Sequence, residues 1–206
     1  MRGANPLKAM SQSKKLADMA HVKLGLAFKS AINEAGTNGT CYLVQPKDIT
    51  LESHNILSGL ARVIPESSPE PHYLIPGDVV LRLRGPVFSA AVVNQELDLP
   101  LVATNQCAVI RCDSSFLSPY YLQWYLNSTQ GQRHFSSYSE GTNINKLNAK
   151  IVGDMDLLVP PLEVQKKIES IHSNWLAQKE TYTRLIETGN LFFDQLCSQI
   201  QLGQFK

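Results

Sequence analysis

The chain has no apolar run approaching the ~18 residues of a membrane span, which excludes helical membrane insertion. Its opening residues, MRGANPLKAMSQSKKLADMA, carry basic side chains but no apolar core and no cleavage site. No secretory signal is therefore expected, and a cytoplasmic location follows by default. The four cysteines (Cys41, Cys107, Cys112, Cys197) form no CxxC pair. Cys107 and Cys112 lie five apart on a predicted strand and point to opposite faces, so buried reduced thiols are expected. The five histidines are scattered without an HxxxH pair, so no structural zinc is predicted.

Chemistry is equally scarce. No GxGxxG opens a helix after a strand, and no GxxxxGK[ST] phosphate loop occurs. Neither a GxSxG elbow nor HExxH is found. Asp154 and Asp156 alternate on a predicted strand and share a face, which a nuclease reading would use for a cation. No lysine follows in the arrangement that a metal-dependent nuclease needs, and solvated edge carboxylates are the simpler account. No catalytic residue, metal site or cofactor is assigned. The chain is expected to recognise something and leave the reaction to a partner. A net charge of +1 is not that of a strongly basic binder, although residues 1–30 carry Arg2, Lys8, Lys14, Lys15, Lys23 and Lys29 against Asp18 alone.

What is present reads as α+β. At 206 residues, with 43% hydrophobic and 18% charged side chains, the chain suits one core-bearing domain plus an appendage. Residues 1–20 read as a basic, poorly ordered or helical lead-in. A mixed β-rich domain is expected over 21–160 and a helix over 161–206. Strand signals fall at VKLGLAF, CYLV, ILSGLARVI and IPGDVVLRLRG, and LVATNQCAVIRC reads as one strand. Ser118-Pro119 offers an N-cap and a first-turn proline for YYLQWYLNS, a helix that Gly131 is expected to end. RHFSSYSEGTNINKLNAK reads as a polar loop and IVGDMDLLV as a strand closed by Pro160-Pro161.

Beyond the prolines the periodicity changes. Val164, Ile168, Ile171, Trp175, Gln178, Tyr182, Leu185, Gly189, Phe192, Leu196 and Gln199 fall at alternating steps of four and three. Eight of these eleven are apolar, the signature of a coiled-coil seam. A helix of ~35 residues is ~50 Å long, more than its own domain needs. The apolar members, from Val164 to Leu196, are the candidate pairing residues. A helix folded back onto its own domain is the alternative.

Two segments carry candidate contacts. In DVVLRLR, Val79, Leu81 and Leu83 face a core, which leaves Arg82 and Arg84 ~6.7 Å apart on the other face. Two guanidinium groups on a rigid strand grip phosphates or guanine edges; an exposed sheet face with local salt bridges is the alternative. In GTNINKLNAK, Thr142, Asn143, Asn145 and Lys146 supply donors and acceptors, asparagine being suited to adenine. Tyr138 and His134 stand nearby.

The order YLIPGDVVLRLRG, LVATNQCAVIR, LSPYYLQWYLNS, GTNINKLNAKIVGDMDLLVPPLEVQKKI resembles one target-recognition domain of a type I restriction–modification specificity subunit, over roughly residues 20–203. The motif Pro160-Pro161-Leu162-Glu163-Val164-Gln165 and the tail LFFDQLCSQIQLGQF resemble the opening and ending of that family's spacer helix. The resemblance implies a non-enzymatic DNA-specificity subunit. Its spacer helices pair antiparallel, and methyltransferase subunits carry the S-adenosylmethionine chemistry and flip the target adenine. Family members have two recognition domains and two spacer helices; here there is one of each. A homodimer reading a symmetric bipartite site on double-stranded DNA is therefore implied. A regulatory or decoy module that binds methyltransferase subunits without DNA affinity is the alternative.

Overall fold

The computed structural model describes residues 12–51, 59–85, 87–137 and 147–204. The chain divides into two compact units, Met1–Glu169 and Ser170–Lys206.

The first unit is built on three small sheets. The central one runs β2 (Ala20–Leu24), β8 (Cys107–Cys112), β5 (Asp78–Arg82) and β6 (Ala90–Val92), every neighbour antiparallel. A second runs β4 (Ala61–Val63), β3 (Cys41–Val44) and β7 (Leu101–Ala103), with β3 and β7 parallel. The third pairs β1 (Gln12–Lys15) with β9 (Asp156–Val159). Strand β5 is apolar on both sides because both are covered. Val79 and Leu81 join a core with Leu122, Leu126 and Phe135, while Val80 joins another with Ile49, Leu74 and Cys107.

Helix α1 (Pro119–Asn127) starts where expected, with Ser118 extended at its N-cap and Pro119 in its first turn. Its buried residues include Tyr121, Leu122, Tyr125 and Leu126. Its polar groups pair the margins of two sheets. The Tyr121 and Tyr125 hydroxyls donate to Leu158 O and Asp156 O of β9, at 2.6 and 3.4 Å. Asn127 pairs with both backbone groups of Ala90, donating to its carbonyl at 2.9 Å and accepting from its amide at 2.8 Å. Gln132 does the same two residues earlier, at Phe88 (2.8 and 3.3 Å). Edge strands with open backbone groups are liabilities, and here side chains close them.

Several expectations are corrected. LVATNQCAVIRC is not one strand: β7 and β8 belong to different sheets, separated by a turn in which Cys107 N donates to Thr104 O at 2.9 Å. Gly131 does not end α1, which stops at Asn127; α2 (Thr129–Ser137) follows. Gly131 is buried inside α2, where a Cβ would lie 2.4 Å from Tyr125 O. Glycine there serves close packing of α2 on the end of α1. Arg133–Ser137 is consequently helical, not loop. In IVGDMDLLV the first half is helix α3 (Ala149–Gly153), capped by the Asn148 side chain accepting from Ile151 N at 2.9 Å, and only Asp156–Val159 is strand. Within the expected lead-in, Gln12–Lys15 is a strand. QSKK has no apolar alternation, so the pairing with β9, over 140 residues away, is invisible locally. Residues 1–11 lie outside the described residues. Of ILSGLARVI only Gly59 onward is described, with Ala61–Val63 as strand.

Helix α4 (Leu162–Gln201) has 40 residues, a length of roughly 60 Å at about 1.5 Å per residue. Among the described residues no helix is long and apolar enough to cross a membrane. We predict that Asn127→Leu, which leaves the Ala90 amide unpaired and its carbonyl with only the 3.5 Å bond from Gln123 Nε2, lowers unfolding stability by about 2 kcal/mol. Equilibrium denaturation with urea measures it, and an unchanged midpoint refutes the edge-closing role of Asn127.

Candidate nucleic-acid interface and helical pairing face

The entry to β5 is fixed by an ion pair between a buried carboxylate and an exposed guanidinium. Asp78 is fully buried and takes a two-pronged grip from Arg111, Nε to Oδ1 and Nη2 to Oδ2, both at 2.7 Å. Ile75 N also donates to Asp78 Oδ2 at 3.0 Å. The bond to Asp78 pushes the Arg111 pKa up from its ordinary value. Gly77 turns into the strand at φ +92°, a left-handed value that favours glycine. This accounts physically for the Gly-Asp pair in IPGDVV.

The exit from β5 is equally defined. Leu83 is buried, Arg82 half-buried and Arg84 exposed. Arg82 is not free: its Nε donates to Arg84 O at 2.5 Å. Gly85 sits at φ +111°, and a Cβ on it would lie 2.3 Å from Arg82 Nη2. The guanidinium of Arg82 thus fills the space that glycine leaves, and only Arg84 projects from the turn. Leu83 N donates to Gln106 O and Leu147 N to Leu83 O, both at 2.9 Å. These bonds bring the β7–β8 turn and the start of the Leu147 segment to the same end of the central sheet. Thr142, Asn143, Asn145, Lys146 and Tyr138 lie outside the described residues. His134 is half-buried with its ring edge-on to Phe135 at 5.7 Å, and burial lowers its pKa.

The carboxylate pair does not form. Asp154 caps the C-terminus of α3 and only Asp156 is on β9, where it meets Lys15 Nζ at 3.2 Å. Among the described residues no group of three or more His, Cys, Asp or Glu side chains gathers to hold a metal ion. All four cysteines are free. Burial pushes Cys107 and Cys112 up to about 12, which keeps them as thiols, whereas Cys197 is exposed.

Gln165, the last residue of the Pro160–Gln165 motif, is fully buried at the start of α4. Its Nε2 donates to Phe116 O and Pro160 O, and its Oε1 accepts from Ser118 N, all at 2.9 Å. One amide therefore ties α4 to the start of α1 and the end of β9. Of the pairing candidates, Ile168 packs partly buried against the first unit's core and Val164 is half-buried. From residue 170 on, Ile171, Trp175, Tyr182, Leu185 and Phe192 are exposed by 55–71%, while Leu196 is half-buried. Ile186, Phe193 and Ile200 widen the apolar face in the distal half.

No family model matches the sequence. Solved structures do. One, from a study of complex assembly and conformational transition of the type I R-M system, is matched with a TM-score of 0.64 at 20% identity. The match covers 98% of this chain and 46% of that one. The HsdS subunit from Thermoanaerobacter tengcongensis gives 0.58 at 19% identity, covering 100% and 42%. The type I restriction-modification S subunit from M. genitalium gives 0.60 at 11% identity, covering 97% and 47%. The chain thus has the fold of type I specificity subunits over nearly its whole length. It spans about half the length of each of these structures.

The Arg82–Gly85 contact yields a test. Gly85→Ala should destabilise the fold by about 2 kcal/mol through φ strain and the clash with Arg82. Adding Arg82→Ala removes the clash but not the strain, so a double-mutant cycle in urea should show partial recovery. Strict additivity contradicts the contact.

Proposed function

We propose that the chain is the sequence-recognising component of a type I restriction–modification system, without catalysis of its own, that reads double-stranded DNA and pairs through α4. The fold supports the system. The observation that carries the reading is the row of large apolar side chains left exposed along α4. Burying five such side chains on each of two copies contributes at most about 1.5–3 kcal/mol per side chain, the same order as or above an association cost of about 4–15 kcal/mol. The occupant is the same face of a second copy. Glu180, Glu187 and Asp194 fall every seven residues on the opposite side and keep that side solvated. A C2 pair carries two recognition units and reads two half-sites in inverted orientation. Methyltransferase subunits bound to the pair supply the chemistry. Arg84, with Thr142, Asn143, Asn145 and Lys146, contacts the DNA.

A second reading has one observation in its favour: Arg82 is engaged in its own turn, and the net charge is only +1. That reading is a regulatory or decoy copy that binds methyltransferase subunits and no DNA. Titration of duplexes across a salt series separates the two. Arg84→Ala should weaken binding and lower the slope of log Kobs against log salt by about 1; no duplex binding by the wild type leaves the decoy reading. For pairing, Ile171→Asp with Trp175→Asp should convert dimers to monomers in sedimentation velocity. Dimers surviving both substitutions place the interface elsewhere.

A further inference from the structure

The β7–β8 turn, Thr104 to Cys107, belongs to the same end of the central sheet as Arg84, and nothing above gives it a role. Its backbone is held on every side. Cys107 N donates to Thr104 O at 2.9 Å and closes a β-turn with Asn105 and Gln106 at its two central positions. Thr104 N donates to Val44 O at 3.0 Å, which ties the turn to the second sheet. Asn105 N donates to Leu26 O at 2.8 Å, and Gln106 O accepts from Leu83 N at 2.9 Å. The last bond extends the β5–β8 ladder one step past Arg82–Cys107, which brings the turn alongside Arg84. Asn105 and Gln106 are exposed, and among the described residues their side-chain amides make no hydrogen bond.

We propose that Asn105 and Gln106 form a base-reading element that contacts adenine edges in the major groove of duplex DNA, beside the phosphate or guanine contact of Arg84. A carboxamide donates to and accepts from adenine N6 and N7 at once, the pairing that distinguishes adenine in that groove. Consecutive Cα atoms stand ~3.8 Å apart and consecutive nucleotides of a strand ~3.4 Å apart, so two adjacent amides match two adjacent base pairs. Because the turn backbone is already ordered, binding costs only side-chain freedom. A loosely held polar loop has no such advantage. The inference rests on the DNA-reading function proposed above and adds the residues and the base they select.

The experiment is selection from a random duplex library with the full chain, followed by sequencing of the enriched duplexes. The wild type, Asn105→Ala with Gln106→Ala, and Gln106→Glu are compared, each first shown by circular dichroism to melt as the wild type does. The double variant should lose adenine preference, by roughly 5- to 150-fold per position, at one or two adjacent positions while the rest of the motif stays. Gln106→Glu should move one of those positions from adenine towards cytosine, because a carboxylate accepts from cytosine N4. An unchanged motif in both variants overturns the assignment and leaves the turn as a solvated link between sheets. If the wild type enriches no motif, the DNA-reading function itself fails and the assignment falls with it.

Discussion

The first unit depends on one requirement, that backbone groups at the margins of small sheets be paired when water is excluded from them. A unit made of strands only three to six residues long has many such margins. Helix α1 meets most of the demand, with two tyrosine hydroxyls on β9 and Asn127 on β6. Gln132 on α2 and Gln165 on α4 complete it. The amides are costly to replace where the loss strands a partner on a buried residue, as at Ala90, Phe88 and Pro160. The Asp78–Arg111 pair holds the entry of β5 and the Arg82 turn its exit, where Arg84 and the β7–β8 turn lie together.

The second unit obeys the opposite logic. Its apolar side chains from Ile171 to Phe192 are exposed instead of buried, so their free energy is gained only on association. Under the proposed pairing, stability in the first unit and partner choice in the second are separable properties of one chain. Under that pairing, a substitution on the distal helix face acts on assembly, whereas one at Asp78 or Gln165 acts on folding.

Strong local signals were legible in the sequence. The alternation in DVVLRLR placed Val79, Leu81 and Leu83 in a core, and Ser118-Pro119 marked the start of α1. The four-and-three spacing after Pro161 announced a helix, which runs unbroken to Gln201. What stayed hidden was set by distant partners. QSKK is a strand only because β9 lies beside it, and Gly131 is explained by the carbonyls it must approach, not by helix termination. At the candidate site, alternation puts Arg82 and Arg84 on one face, and Arg84 is exposed. The capture of Arg82 by its own turn was not legible, since it needs the left-handed bend at Gly85. Asn105 and Gln106 were absorbed into a single imagined strand; an Asn-Gln pair between two apolar runs was the signal for a turn.

The recognition and pairing proposals meet in the shape of the DNA sequence selected. Sequencing of the duplexes that the wild-type chain enriches should yield two copies of one half-site, inverted and separated by a constant number of base pairs. Half-sites that occur singly, or at freely varying separation, would contradict a pair of recognition units joined through α4.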